Sequence, residues 1–548
     1  MAKKNILYCP EITNDYANEL SMGHLIIKSL TNAGDRVLLV SGITSEELTA
    51  KELLTKAIQF AQSLKSFGIK SGDVVSLVCE NRFEFAYVLF GSLLSNVTVA
   101  PINLTYSERE MSHALSLSKP KMLFMSPFAA DKVVNVAKSL NFIQKVVLFD
   151  DENPFGSDVM LFDDFLKRSS NFNIKEFIPM PVEDKQNTVS LILCSSGTTG
   201  LPKGVQLSQA NLIVVTRFCK DVILNIGNIP STEERVCLGL LPWFHAFGIT
   251  ILTGVISGAL TRIVLLPKFE EALFLSCIEY NKCNILFLVP PLMVFLSKHP
   301  MVDDYDLSSA KVIICGAAPL SKETENAVYD RLKNKDLRIL QGYGMSELSL
   351  AVLLQKSIRK PGSVGDLNGG SYAKVINENG EALGPNERGE LCFKGNQLMI
   401  GYINDKDATS SCIDNEGWLH TGDVGYYDDD KQFFIVDRIK ELIKWKGFQV
   451  PPAEIEAILL THPKIKDAAV IGIPDERAGE KALAYVVRVD ESLTENDVLE
   501  FVAKTTSPAK RLHGGVIFTD LIPKNPSGKI LRRELREFYK QSTLKAKL

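Results

Sequence analysis

Two serines, two threonines and three glycines stand within ten residues, Ser195-Ser196-Gly197-Thr198-Thr199-Gly200-Leu201-Pro202-Lys203-Gly204. Such a stretch cannot pack a core. Its hydroxyls and backbone N–H groups can surround a phosphate, and glycine lets an anion come close to the backbone. Lys203 adds a positive charge. The same composition also describes a surface turn, so alone the stretch supports either reading. It is not a Walker A loop, because Lys203 follows Pro202 rather than glycine and no serine or threonine comes next.

Two further segments carry small residues where chemistry could sit. An apolar run at residues 312–315 leads into Gly316-Ala317-Ala318-Pro319, and another at 337–341 leads into Gly342-Tyr343-Gly344-Met345-Ser346-Glu347. Ser321 can cap a helix between them to about residue 333, which makes one βαβ unit. Loops that follow adjacent strands of an open α/β sheet are where nucleotides bind, although each loop alone also fits a tight turn.

These segments need a scaffold. The apolar, β-branched run at 189–194 reads as a buried strand leading into the first stretch, 205–207 as another, and Ser208 as a helix N-cap. Upstream, residues 46–67 read as a long amphipathic helix, 74–79 as a strand, 82–94 as a helix and 97–101 as a strand. This is α/β structure wound around a mostly parallel sheet. Residues 171–187 are polar with two prolines and read as a linker. After Asp437-Arg438 the character changes: Pro451-Pro452 opens a helix through Leu460, then strands alternate with short helices. Roughly 110 residues suffice for a separate small core, which places a boundary at about residue 438.

The totals narrow the class. The 548 residues are 45% apolar and 23% charged with a net charge of −4, which argues against a nucleic-acid or other polyanion binder. Ten cysteines include no Cys-x-x-Cys pair, so zinc or a disulfide framework is not expected. The start, Met-Ala-Lys-Lys-Asn, lacks the apolar core of a signal peptide, and no apolar run reaches about 18 residues, so no transmembrane span is expected. The strongest such run, at 285–296, is broken by Pro290-Pro291. Ala546-Lys547-Leu548 is a variant of the Ser-Lys-Leu address, which implies a peroxisomal location and an import receptor as partner.

Together the motifs resemble the adenylate-forming superfamily of acyl-CoA synthetases, plant coumarate ligases and beetle luciferases, over nearly the whole chain. They are the 195–204 stretch; Leu241-Pro242-Trp243-Phe244-His245-Ala246-Phe247-Gly248; the segments at 316–319 and 341–347; Gly417-Trp418-Leu419-His420-Thr421-Gly422-Asp423; Asp437-Arg438-Ile439-Lys440-Glu441-Leu442-Ile443-Lys444; and Asn525-Pro526-Ser527-Gly528-Lys529. The implied fold is a large α/β N-terminal domain (1–437) of layered, mostly parallel sheets plus a small β-barrel-like subdomain. A hinge at 438–441 then leads to a smaller, mobile α+β domain (442–548).

The implied chemistry joins a carboxylate to AMP from ATP, releases pyrophosphate, and passes the acyl group to CoA. A carboxylate attacks a triphosphate poorly unless the like charges are neutralised. By resemblance Ser195, Thr198, Thr199 and Lys203 hold phosphates and Glu347 holds Mg²⁺, as a hard oxygen ligand should. Asp423 accepts from the ribose, with Arg438 nearby. Tyr343 stacks on adenine within the Gly342–Gly344 segment, alongside Met345 and Ser346, while Gly316, Ala317 and Ala318 line the base. Lys529 bridges the carboxylate and the α-phosphate. A rotation of the small domain then removes Lys529 and brings in Lys444 and Gln449 for thioester formation, with Lys446, Gly447 and Phe448 bordering CoA. His245 positions the carboxylate, and His420 is structural.

The implied acyl-pocket walls are apolar: Phe247, Ile249, residues 289–292, Leu348 and Leu350. An aryl acid would want a polar partner for its phenol, so the expectation is a medium- or long-chain fatty acid. Luminous relatives carry serine at the position of Leu350, which argues against strong luciferase activity. A coumarate-type ligase and a non-catalytic binding protein are the remaining alternatives; retention of Lys529, Glu347 and the two threonines speaks against the last.

Overall fold

The computed structural model describes residues 5–11, 19–169, 176–195, 201–226, 229–356, 359–526 and 528–545. Thr198, Thr199 and the 546–548 tripeptide lie outside the described residues, as does part of the 171–187 segment.

Four sheets organise the described chain. In the first, six parallel strands run in the order Val189–Ser195, Thr98–Pro101, Val74–Val78, Met122–Met125, Lys145–Leu148 and Val159–Leu161. Lys203–Ser208 pairs antiparallel with Val189–Ser195, with Lys203 opposite Ser195. Val189–Ser195 and Lys203–Ser208 are therefore the two arms of a hairpin. Ser208 caps the helix Gln209–Asp221 from the far end of that hairpin, bonding to the Asn211 N–H.

The second sheet has nine strands. Its parallel centre is Arg338–Gly344, Val312–Cys315, Ile285–Leu288, Val236–Gly239, Arg262–Leu265 and Val37–Ser41. Helices Ala50–Ser66 and Phe83–Leu94 belong to the extended core between these layers, where Phe60, Phe85, Phe90 and Trp243 are fully buried. From Phe85 onward every residue of the second helix is buried, as expected for a helix apolar on all sides. Gly91 makes its contact with the first helix possible: a Cβ there would lie 2.6 Å from the Ala57 carbonyl oxygen.

Two elements differ from the sequence reading. Helix 46–67 begins only at Ala50, because Glu47–Thr49 pairs with Val37–Ser41 and Thr49 then forms a capping box with Glu52. The glycine-bearing 342–344 segment is not loop but the end of a strand, paired antiparallel with Ala351–Leu354.

The third sheet is antiparallel: Leu7–Cys9, Ser371–Ile376, Gly389–Gly395, Leu419–Tyr427 and Phe433–Arg438. The fourth is built after residue 442 from Ile443–Trp445, Phe448–Val450, Ile465–Asp475, Gly479–Arg488 and Val516–Phe518. It shares a core with helices Pro452–Thr461 and Glu495–Thr505 through Ile455, Leu459, Val498 and Val502. This part docks on the rest through Lys298, the last residue of helix Pro290–Lys298. Its ammonium donates to the carbonyls of Leu460 (2.5 Å), Ile465 (3.3 Å) and His462 (3.4 Å). Those groups lie at and just beyond the C-terminus of Pro452–Thr461, where a cation suits the helix dipole. Among the described residues no helix is long and apolar enough to cross a membrane, and all ten cysteines are free.

Candidate active site

A cavity of about 570 Å³ lies where the hairpin, the C-terminal ends of the parallel strands, the third sheet and the turn of Asn525 and Lys529 converge. Its wall contains Ser195, Lys203, His245, Glu347, Arg438 and Lys529, contributed by five separate stretches of chain. Phe247, Gly316, Ala317 and residues 342–346 complete much of the remainder.

At one side Glu347 is buried on the short 3₁₀ turn Ser346–Leu348. Ser195 Oγ donates to its Oε1 at 2.9 Å, and the Tyr402 hydroxyl donates to the same oxygen at 2.8 Å. Both bonds fall on one carboxylate oxygen, which orients the other as a hard ligand; this donor set fits Mg²⁺. Lys203 Nζ sits 4.7 Å from the centre of the Tyr402 ring, so this cation is held beside the carboxylate. Burial and Glu347 push the Tyr402 phenol upward, keeping it a donor.

Opposite lies a second polar group. Asp423, on strand Leu419–Tyr427, accepts from the Tyr343 hydroxyl at 2.6 Å and pairs with Arg438 Nε at 3.2 Å. The strands carrying Asp423 and Arg438 are paired with these two residues opposite each other. Behind them Glu390 accepts from the Gly422 N–H at 2.9 Å and faces His420 Nδ1 at 3.1 Å, while Asp414 lies 3.4 Å from Nε2. A ring held between two carboxylates anchors the segment before Asp423, in keeping with a structural His420.

Lys529 completes the wall from the small C-terminal part. Its backbone N–H donates to Asn525 Oδ1 and its carbonyl accepts from the Asn525 N–H, both at 2.9 Å, which closes the turn that presents it. Burial, assisted by Arg438, pulls its ammonium down to about 8, against the opposing pull of Asp423. Deprotonation removes the charge that can meet phosphate and carboxylate oxygens, and kcat/KM reports groups of the free enzyme. The kcat/KM of ATP-dependent adenylation is therefore expected to fall as pH rises through about 8. A pyrophosphate-release profile flat across that range would contradict the assignment.

His245 stands at the N-cap of helix Ala246–Ile256. Its Nε2 is out of solvent with no partner among the described residues, and burial lowers the ring to about 4. It is a neutral imidazole able to donate or accept one hydrogen bond at the cavity wall. Gly344 is required by contact: a Cβ there would sit 1.7 Å from the Leu350 carbonyl oxygen.

Residues 28–403 match the AMP-binding enzyme family, and 454–529 match the AMP-binding enzyme C-terminal domain. The chain belongs to the adenylate-forming, AMP-binding enzymes. It is 39% identical to a luciferin 4-monooxygenase of Photuris pensylvanica, over 99% of both chains. It is 38% identical to a probable 4-coumarate–CoA ligase of Dictyostelium discoideum, over 96% of this chain and 97% of that one. Its fold matches an anthranilate CoA ligase in complex with anthranoyl-AMP, with a TM-score of 0.86 at 20% identity over 96% and 98% of the chains. The activity is accordingly that of an adenylate-forming acyl- or aryl-CoA ligase or a luciferase-like enzyme, a family that uses ATP, CoA and Mg²⁺.

In this adenylate-forming enzyme some expected residues stand elsewhere. Lys444, Lys446, Gly447, Phe448 and Gln449 form the exposed hairpin of Ile443–Trp445 and Phe448–Val450, away from the cavity wall. Lys446 and Gly447, both with positive φ, make its tip, as two-residue hairpin turns require. Leu348 is not on the main cavity wall: it is buried in the core under the third sheet. Ile249 is likewise core, and the 289–291 segment instead meets the loop of Gly528. Ala318 is also off the wall, where Gly316 and Ala317 stand. Sequence reasoning missed Tyr402, which carries no motif and reaches Glu347 only because Gly401–Tyr402 pairs with Lys203–Ser208. It also missed Phe218, which lines the apolar end.

Proposed function

We propose that this chain converts a medium- or long-chain fatty acid to its acyl-AMP and then to the acyl-CoA thioester. The apolar end of the cavity carries the proposal. Phe218, Phe247, Phe287, Ile314 and Leu350 line it, and Thr250 beside them donates its hydroxyl hydrogen to the Ala246 carbonyl at 2.9 Å. A phenol or a hydroxylated heterocycle there would exchange water for mostly apolar side chains, whereas an aliphatic chain gains from the same surroundings. Leu350, where luminous relatives resemble the chain but carry serine, supports the same reading.

In this scheme Lys203 and Ser195 meet the phosphates and Asp423 the ribose. Tyr343, Gly316 and Ala317 border the adenine, His245 orients the carboxylate, and Lys529 bridges carboxylate and α-phosphate. Glu347 would hold Mg²⁺, which when bound would supply positive charge to offset that of the phosphates. The segment 442–548 then turns about 438–441 and presents Lys444 and Gln449. The Lys298 contacts stabilise the arrangement that has Lys529 at the cavity. Lys298→Ala is expected to remove about 1–2 kcal/mol of that preference, slowing adenylation about 5- to 30-fold. Thioester formation from supplied acyl-AMP should be unchanged or faster; equal loss in both half-reactions would contradict the latch.

The deciding test is AMP release dependent on CoA, with saturated and unsaturated fatty acids beside coumarate and firefly luciferin. Turnover peaking among medium or long fatty acids is expected. Light and turnover with luciferin alone, or turnover with coumarate alone, would replace the reading. We further propose peroxisomal import through Ala546-Lys547-Leu548; a fluorescent fusion at the N-terminus should lose its punctate distribution when those residues are deleted.

A further inference from the structure

A second cavity of about 230 Å³ lies beside the first. The two share the wall residues Phe218, Leu350 and Ala351. Leu350 packs with Val215 and Cys219 in a small buried cluster separate from the main core, against partly buried Phe218 and Phe247. The partition is therefore one side-chain layer thick: Leu350 from one side and Phe218 from the other.

The surroundings of these two residues suit a wall that sets length. Phe218 sits in the last turn of Gln209–Asp221, where the helix widens into the π-helical turn Val222–Ile226. Such widened turns recur at functional sites. Cys219, Val222 and Ile223 from this region face the first cavity, while Leu224 and Asn225 face the second. Leu350, by contrast, is held at its backbone. Ser349 has φ +61° and its hydroxyl donates to the Gln397 carbonyl at 2.6 Å, and the Leu350 carbonyl accepts from Met345. The wall of the second cavity is mixed: Val214, Leu224 and Leu348 make it apolar beside the partition, while Glu11, Arg217 and Lys220 bring charge to it elsewhere.

We infer that Phe218 and Leu350 form the end wall that limits acyl-chain length, and that the second cavity is the space a longer chain occupies once that wall is opened. The inference rests on the fatty-acid reading above. No bond is made or broken in it; it concerns where the methyl end of the substrate lies.

The test compares kcat/KM for acyl-AMP formation across saturated acids from octanoate to stearate, in the full chain and in Leu350→Ala. Opening the wall should raise the stearate-to-octanoate ratio about tenfold or more, since each accommodated methylene counts in an apolar pocket. Phe218→Ala should act in the same direction, which keeps the test usable where Leu350→Ala folds poorly. Val214 lines only the second cavity; adding Val214→Phe to either variant should fill that cavity and return the ratio toward the parent's. Unchanged ratios in both alanine variants, with fatty acids still activated by the parent chain, would overturn the partition alone. A shift that Val214→Phe does not reverse would overturn the role of the second cavity. A parent chain that activates no fatty acid would overturn the substrate reading and this inference together.

Discussion

Lys529→Ala is expected to lower acyl-AMP formation by about 10²- to 10³-fold or more while leaving CoA transfer from supplied acyl-AMP nearly intact. The side chain reaches the cavity wall from the small C-terminal part, where Asp423 and Arg438 both act on its charge. In a low-dielectric wall, a preorganised cation facing developing negative charge is worth far more than the same cation in water. Lys444→Ala should give the opposite pattern, because Lys444 lies on an exposed hairpin away from the adenylation cavity. Measuring the two half-reactions separately, by pyrophosphate release and by thioester formation from synthetic acyl-AMP, distinguishes them. Equal loss of both steps in either variant would contradict the assignment of the two lysines.

Asp423→Asn should weaken ATP by about 10- to 100-fold in KM, the scale of losing one charge-assisted hydrogen bond. The carboxylate is a shared acceptor: one oxygen takes the Tyr343 hydroxyl and the other pairs with the Arg438 guanidinium, so it holds in place two residues of the cavity wall without itself lining it. Its charge also opposes the effects that lower Lys529. Neutralising it removes that support, so the alkaline limb of the adenylation profile should move to lower pH. The paired shift is the diagnostic feature. A raised KM with an unmoved alkaline limb would show that Asp423 serves the nucleotide without tuning Lys529.

Much of the scaffold was legible because periodicity and caps agreed. Val74–Val78, Thr98–Pro101 and Val312–Cys315 are short, β-branched or apolar strands, and Ser208 and Ser321 cap helices through the N–H groups of Asn211 and Thr324. The failures have local causes. Residues 46–49 have helical composition, but pairing with Val37–Ser41 claims them first. Leu348 and Leu350, two apart, were expected on one wall of the main cavity; with the left-handed Ser349 between them only Leu350 reaches that wall, while Leu348 is buried under the third sheet and borders the second cavity. A serine with positive φ leaves no mark in a sequence. The Lys203–Tyr402–Glu347 contact joins positions far apart in the chain, so nothing short of the folded sheet could place it.

The hairpin that carries Ser195 and Lys203 has an electrical consequence. The helix that follows it starts at Ser208, which in the sheet register stands opposite Val189, at the other end of the ladder from the Ser195–Lys203 pair. Five residues of strand put roughly 17 Å between that helix start and the Ser195–Lys203 end. The positive pole of a helix, which fades beyond its first turn, therefore gives the Ser195–Lys203 end almost nothing. In the proposed scheme, the charge that attracts a triphosphate to Ser195 and Lys203 comes from side chains and Mg²⁺ rather than from a helix pole, and charge near solvent is screened over about 8–10 Å at ordinary ionic strength. Nucleotide capture by this chain should accordingly weaken with added salt more steeply than capture by a loop seated on a helix N-terminus.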